Sequence, residues 1–448
     1  MAHKPARPSR RSFLQGGLAG FAFAALPAAF APLPAFAAER RAEQVLGQWY
    51  KLLLELIRHT ATYSPPVAAR SFAYLGITAF EAQATGNPAL RSLAGQVAGL
   101  SPLPPREAGP HDEACVLQGA LTHAMVAHFG NTGPTGQRAM QAMEKRLSEV
   151  AMTGVGQDVA SRSLAHGIAV SQAILDWSAS DGGATIENMG FPYEYALTEG
   201  PAHWVPTNTI AVQQRPLLPK WGQNRTFAIP MTGGCGLPPA LAYSEDPGSA
   251  FYADAKTVYD LSKSLTDEQK AIARFWSDDP MLSPTPPGHW VSIMLQIFDR
   301  DGTPVDRQAE VLALLGMAIS DGFVQCWRSK FEYDLLRPIT YIRRVIDPKW
   351  EPLLNTPPFP EYPSGHSTQS GAAAAVLESL YGAEFAFDDA THEADGIKPR
   401  HFTSFWQAAE EAAISRLYGG IHFPSANKNG LEQGRCIAGH ILELKTRA

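Results

Sequence analysis

Pro357-Pro358-Phe359-Pro360-Glu361-Tyr362-Pro363-Ser364-Gly365-His366 runs directly into Ser367-Thr368-Gln369-Ser370-Gly371 and four alanines, Ala372 to Ala375. Prolines and a glycine make a tight entry, and the Ala-rich run predicts a helix over 367–381. The first amides of a helix have no intrahelical partner and point at any bound anion. Ser364 can cap this helix or bond an oxyanion oxygen, and Gly365 lets the backbone approach closely.

On one side of this stretch lies Lys330-x6-Arg337-Pro338, and on the other Ser415-Arg416-x5-His422. Lys330 and Arg337 are about 340° apart round a helix, so the spacing predicts that both project from one face. Pro338 should end or kink that helix near Arg337. Ser415-Arg416 closes a helix stopped by Gly419-Gly420, which presents His422 from the turn. Taken singly, these are a solvated cationic face, an N-cap and a packed histidine. Together, three cations, a hydroxyl, a backbone amide and two imidazoles suit a tetrahedral oxyanion and chemistry on it.

Elsewhere the period is helical. Over 41–63, Val45, Leu46, Trp49, Leu52, Leu53, Leu56 and Ile57 recur at three- and four-residue spacing. The pattern repeats over 68–84, 114–129, 137–151 and 159–178. It resumes at 251–265, 267–275, 289–298, 309–323, 326–336, 402–417 and 430–445. No stretch sustains alternation, so strands should be few and short. The expected fold is all-α, a helical bundle with a long irregular loop region. An N-terminal helical domain covers 38–180, a loop-rich connection 181–265, and a C-terminal helical domain with the oxyanion site 266–448. A loop this long covers a site, lines an entrance, or is a plain surface insertion.

The N-terminus stands apart. Ser9-Arg10-Arg11-Ser12-Phe13-Leu14 precedes an apolar run over 18–30, and Ala35-Phe36-Ala37 offers a small-x-small cleavage site. This predicts a twin-arginine signal over 1–37, and with it export to the periplasm or beyond by the twin-arginine machinery. Without it, 33 basic residues face 43 acidic ones. That balance argues against nucleic acid as a partner. No later apolar stretch is expected to span a bilayer. Cys115, Cys235, Cys326 and Cys436 form no C-x-x-C pair, which excludes a zinc ribbon and predicts mostly buried free thiols.

In order, residue type and spacing, K-x6-RP, PSGH and SR-x5-H resemble the signature of the type 2 phosphatidic acid phosphatase and vanadium haloperoxidase superfamily. The run over 357–366, with Trp327 and Phe359, is similar to the vanadium chloroperoxidase branch, whose pocket wall is aromatic at those two places. Phe275-Trp276-Ser277-Asp278-Asp279 resembles that branch's segment with a carboxylate paired to the second arginine, so Asp279 is expected to hold Arg416, with Asp278 as fallback. The resemblance implies a vanadate cofactor held by Lys330, Arg337, Ser364, Gly365 and Arg416. In it His422 is the metal ligand, and His366 and Lys330 are catalytic. Substrates would be hydrogen peroxide, a halide (chloride or bromide) and an organic acceptor; a homodimer stays open.

One position departs from the pattern. The family carries an acid four residues after the late histidine, where this chain has Ala426. Asn427 or a backbone carbonyl is expected to take over its orienting role. With phosphorus as the central atom, the same residues would make an exported phosphatase, with His422 as phosphoryl acceptor and His366 as general acid. A non-catalytic oxyanion binder is the third reading. His289, His392, His401 and His440 show no metal-ligand spacing, and His111-x3-Cys115-x7-His123 is too weak to use.

Overall fold

The computed structural model describes residues 40–186, 190–192, 194–207, 211–230 and 234–448. The twin-arginine segment, 1–37, lies outside the described residues. Arg40–Ala448 form one compact unit.

In chain order the elements are α1 (Arg41–Arg58), α2 (Pro65–Ala84), α3 (Glu113–His128), α4 (Gly133–Met152) and α5 (Gln157–Ser178). After a long loop-rich segment come α6 (Ala250–Lys263), α7 (Asp267–Phe275), α8 (Thr285–Asp301), α9 (Val305–Tyr333), α10 (Pro338–Val345) and α11 (Gly365–Tyr381). A two-stranded ribbon, β1 (Phe387–Asp389) and β2 (Arg400–Phe402), precedes α12 (Phe405–Tyr418) and α13 (Pro424–Leu442). The all-α expectation holds: the ribbon is antiparallel, pairing Phe387 with Phe402, and helix-on-helix packing makes the core.

The architecture hangs on α9. The sequence predicts two helices over 309–323 and 326–336, yet the chain runs unbroken for 29 residues. Val324 and Gln325, which fall between them, are buried rather than looped out. Asp321 accepts hydrogen bonds from the amides of Phe227 (2.7 Å), Ala228 (3.0 Å) and Ile229 (3.4 Å), tying the loop segment to the helix. By length and composition α9 could cross a membrane, contrary to the sequence expectation. Its most apolar window is wholly buried inside the protein, as befits a central core helix.

Along α2 the backbones nearly touch. A Cβ on Gly76 would lie 2.6 Å from the Leu312 carbonyl oxygen, and one on Gly316 2.8 Å from that of Phe72. Helix axes come this close only where side chains are absent.

Asp334 ends α9 in the left-handed conformation, φ 46°. Arg337 is extended and caps α10, with Pro338 at the first helical position. Lys330 and Arg337 therefore do not share one helix face, and Pro338 starts a helix instead of ending one. The two cations converge because the chain reverses between them.

The loop-rich segment clamps this reversal. Trp204 N–H donates to the Asp334 carbonyl, Leu336 N–H to Ala202, and Leu217 N–H to Pro358. It covers the end of α9 and the run leading to Ser364. Cys235 in this segment is disulfide-bonded to Cys436 on α13, 201 residues away. The expectation of free thiols fails for this pair, since spacing along the chain says nothing about such a distant contact; Cys115 and Cys326 are free and buried.

Candidate oxyanion site

Three segments meet at His422: the reversal after α9, the proline-rich run before α11, and the turn between α12 and α13. His422 is 3% exposed, and its Nδ1 lies 2.8 Å from Glu361 Oε1. That oxygen also accepts the Phe423 amide at 2.9 Å, so it is an acceptor and Nδ1 carries the proton. Nε2 is left with its lone pair, which accepts a hydrogen bond from Arg337 Nη1 at 3.1 Å. Burial, then Arg337, Lys330 and Arg416, hold His422 well below its usual value and so neutral. The result is a neutral imidazole presenting a lone pair among fixed positive charges.

Glu361 thus fills the orienting role that Ala426 cannot. Ala426 packs in the core, and its carbonyl accepts the Ser364 amide at 3.2 Å. Asn427 turns its Oδ1 to Ser367 instead of to His422. Sequence reading missed Glu361, although a lone acid in an apolar, proline-rich run was the available signal. Burial pushes Glu361 up to about 7, while Arg337, the Phe423 amide and Lys330 pull it down.

Lys330 is fully buried, and its Nζ donates to the carbonyls of Pro360 (3.0 Å), Glu361 (2.9 Å) and Pro363. An ammonium has three donors, so all are committed to the loop that carries Glu361 and leads to Ser364. Lys330 shapes the site by holding that loop and adds its charge from behind. Burial pulls it down to about 7. Ser364 caps α11, its Oγ accepting the Ser367 amide at 3.4 Å. At Gly365 an added Cβ would meet nothing in the protein nearer than 3.7 Å, so protein packing does not demand glycine there.

Arg337 donates through Nε to the Phe359 carbonyl (2.9 Å) and through Nη1 to Ile421 (2.8 Å), while its buried Nη2 has no partner. Arg416 donates through Nη1 to the Trp276 carbonyl at 2.7 Å, and its buried Nε is likewise unpartnered. The expected carboxylate pairing takes another form. Asp279 is exposed and reaches Arg416 through its charge, with no hydrogen bond between them among the described residues. Asp278, the fallback, is buried against two histidines. His366 is partly exposed, but its Nε2 is buried and unpartnered. Burial, then Arg416, hold it neutral, well below its usual value.

Trp327 and Phe359 form one wall, ring centroids 4.8 Å apart. Trp327 Nε1 donates to the Leu217 carbonyl at 3.1 Å, which fixes the ring. Lys330 Nζ lies 5.2 Å and Arg337 Cζ 5.0 Å from the Phe359 centroid, within cation–π range.

Three buried cations face the buried carboxylate of Glu361, with that of Asp278 acting on Arg416, and Arg337 Nη2, Arg416 Nε, His366 Nε2 and Glu361 Oε2 lack partners. Unpaired buried donors are costly, so this donor set fits an oxyanion, whose central atom would take the His422 Nε2 lone pair in place of Arg337 Nη1.

Comparison with known proteins agrees. A family profile described as the VCPO second helical-bundle domain matches residues 310–448. Vanadium chloroperoxidase of Curvularia inaequalis is 27% identical over 216 residues, and the chain spans 36% of that relative's length. The crystal structure of a bacterial vanadium-dependent iodoperoxidase superposes with a TM-score of 0.81 at 34% identity, covering 90% of this chain and 97% of that one. A bacterial vanadium-dependent chloroperoxidase in its holo form shares the fold at 16% identity, with a TM-score of 0.66 over 86% of this chain and 94% of that one. The fold and the donor set define a helical oxyanion-site protein. The chain belongs to the vanadium-dependent haloperoxidase family.

Proposed function

We propose that this protein is a vanadate-dependent haloperoxidase, using hydrogen peroxide to oxidise halide for transfer to an organic acceptor. The observation that carries the reading is the neutral, Glu361-oriented His422 with Nε2 directed among Arg337, Arg416 and Lys330. Vanadate, when bound, supplies a Lewis-acidic centre that activates peroxide toward halide. His422 would hold it through Nε2. Arg337 and Arg416 would balance its negative charge through the nitrogens that lack protein partners, and Ser364 would hold it at the start of α11. His366 takes up and returns a proton at Nε2, for which its neutral state suits it. Trp327 and Phe359 exclude water on the side where halide approaches.

Iodide is the halide to test first, because the relative at 34% identity is an iodoperoxidase and iodide is the most readily oxidised halide. Chloride and bromide, suggested by the aromatic wall, follow. Residues 1–37 support twin-arginine export, and the Cys235–Cys436 disulfide suits an oxidising compartment. The decisive experiment adds orthovanadate to metal-free protein and assays iodide oxidation by peroxide beside aryl phosphate hydrolysis. Vanadate-dependent iodide oxidation is expected. Hydrolysis inhibited by vanadate without halide oxidation would establish the phosphatase instead, and binding without turnover would leave an oxyanion carrier.

A further inference from the structure

Behind the oxyanion site lies a second cluster that this chemistry does not use. Asp278 follows α7, His289 lies on α8, and His392 follows β1, so distant stretches of chain meet here. One donor atom from each lies within 4.8 Å of the other two, and all three residues are buried. His289 Nδ1 is 2.9 Å from Asp278 Oδ2 and 3.1 Å from Oδ1, and His392 Nε2 is 3.2 Å from Oδ1.

We propose that Asp278, His289 and His392 bind one divalent transition-metal cation of the zinc class, in a closed structural site.

The outer nitrogens of both histidines support this. His289 Nε2 lies 2.7 Å from Asp389 Oδ2, and His392 Nδ1 lies 3.4 Å from Asp395 Oδ2. A carboxylate behind each imidazole fixes the tautomer that turns the inner lone pair toward a metal. Arg58 pairs with Asp395 behind His392.

The two rings stand edge to face with centroids 5.0 Å apart, and a single cation between them would reach one nitrogen of each ring and the Asp278 carboxylate. Both oxygens of Asp278 are within reach, so three residues offer four donor atoms, the number zinc prefers.

The site is sealed. Trp276 stacks on His289 at 4.4 Å, and Phe275 meets His289 and His392 edge-on at 5.3 and 5.4 Å. No open coordination position faces solvent, as expected for structure rather than catalysis. The metal would pin the turn after α7, and Arg416 depends on that turn for its Trp276 acceptor. The proposal stands apart from the vanadate reading, since it invokes neither His422 nor Arg337.

The test uses the full chain, stripped with chelator and titrated with Co²⁺ or Zn²⁺. One equivalent per chain is expected, with the visible absorption of four- or five-coordinate cobalt. Protons should be released on binding, read by calorimetry in buffers of different ionisation enthalpy. His289→Gln and His392→Gln should each weaken affinity at least about 100-fold, and Asp389→Asn about 10- to 100-fold. His422→Ala, in the other site, and His401→Gln, on the surface, should keep the full equivalent. The wild-type stoichiometry and proton release need no variant to fold. No uptake by the wild type at micromolar metal, or an equivalent retained in both histidine variants, overturns the proposal.

Discussion

Replacing Glu361 by glutamine keeps the shape of the His422 support and removes its charge. In the wild type one carboxylate oxygen accepts the His422 Nδ1–H at 2.8 Å and the Phe423 amide at 2.9 Å, with no exposure to solvent. Hydrogen bonds to a charged group contribute about 1.5–3 kcal/mol, against about 0.5–1.5 for neutral pairs. The variant therefore loses on the order of 1–1.5 kcal/mol of orientation and polarisation at His422, or roughly tenfold in vanadate affinity. Glu361→Ala, which leaves Nδ1 without an acceptor, should lose nearer a hundredfold. The pH profile gives an independent signature. With Glu361 raised to about 7, wild-type affinity should fall as pH drops below 7 and the carboxylate takes a proton. Glu361→Gln should flatten that limb. Stability moves the opposite way: a raised carboxyl means the native state holds a proton that the unfolded chain releases, so stability from this group falls as pH rises from about 4.5 to about 7. Calorimetric vanadate titration from pH 5 to 8 measures affinity, and urea unfolding measures stability. Wild-type affinity with an unchanged pH profile in Glu361→Gln would refute the orienting role.

His422→Ala should abolish vanadate binding and halide oxidation while shifting the thermal midpoint little, because it removes a ligand and leaves the loop bonds of Lys330 intact. Lys330→Met strands three buried carbonyls and should destabilise the fold by about 3–5 kcal/mol in urea; a change under about 1 would contradict its loop-holding role. Thiol titration of the denatured, unreduced protein should find two free cysteines, Cys115 and Cys326. Cys235→Ser should cost about 2–4 kcal/mol, since the bond closes a very long loop. Phe359→Ala should raise the halide KM more than it lowers kcat, as expected for a wall that shapes access.

The helices were legible because their apolar spacing is repeated and strong, and 267–275 agrees residue for residue. The join at 323–326 was not, because a polar residue such as Gln325 gives no sign along the chain that it is buried inside one continuous helix. The site's residue types and order were plain in the sequence, and its geometry was not. Lys330 and Arg337 looked like neighbours on one helix, and a single left-handed residue, Asp334, put a reversal between them. Glu361 hid in a proline-rich run, and His289 and His392 seemed idle. Their partners arrive from elsewhere in the chain, where local spacing carries no signal.

Where Gly76 and Gly316 let α2 and α9 meet backbone to backbone, nothing compressible lies between the helices. Any side chain placed there displaces the rod that carries Trp327 and Lys330, and the pocket with it. Drift in halide preference should therefore accumulate in the loops over the pocket, while this seam tolerates nothing larger than hydrogen.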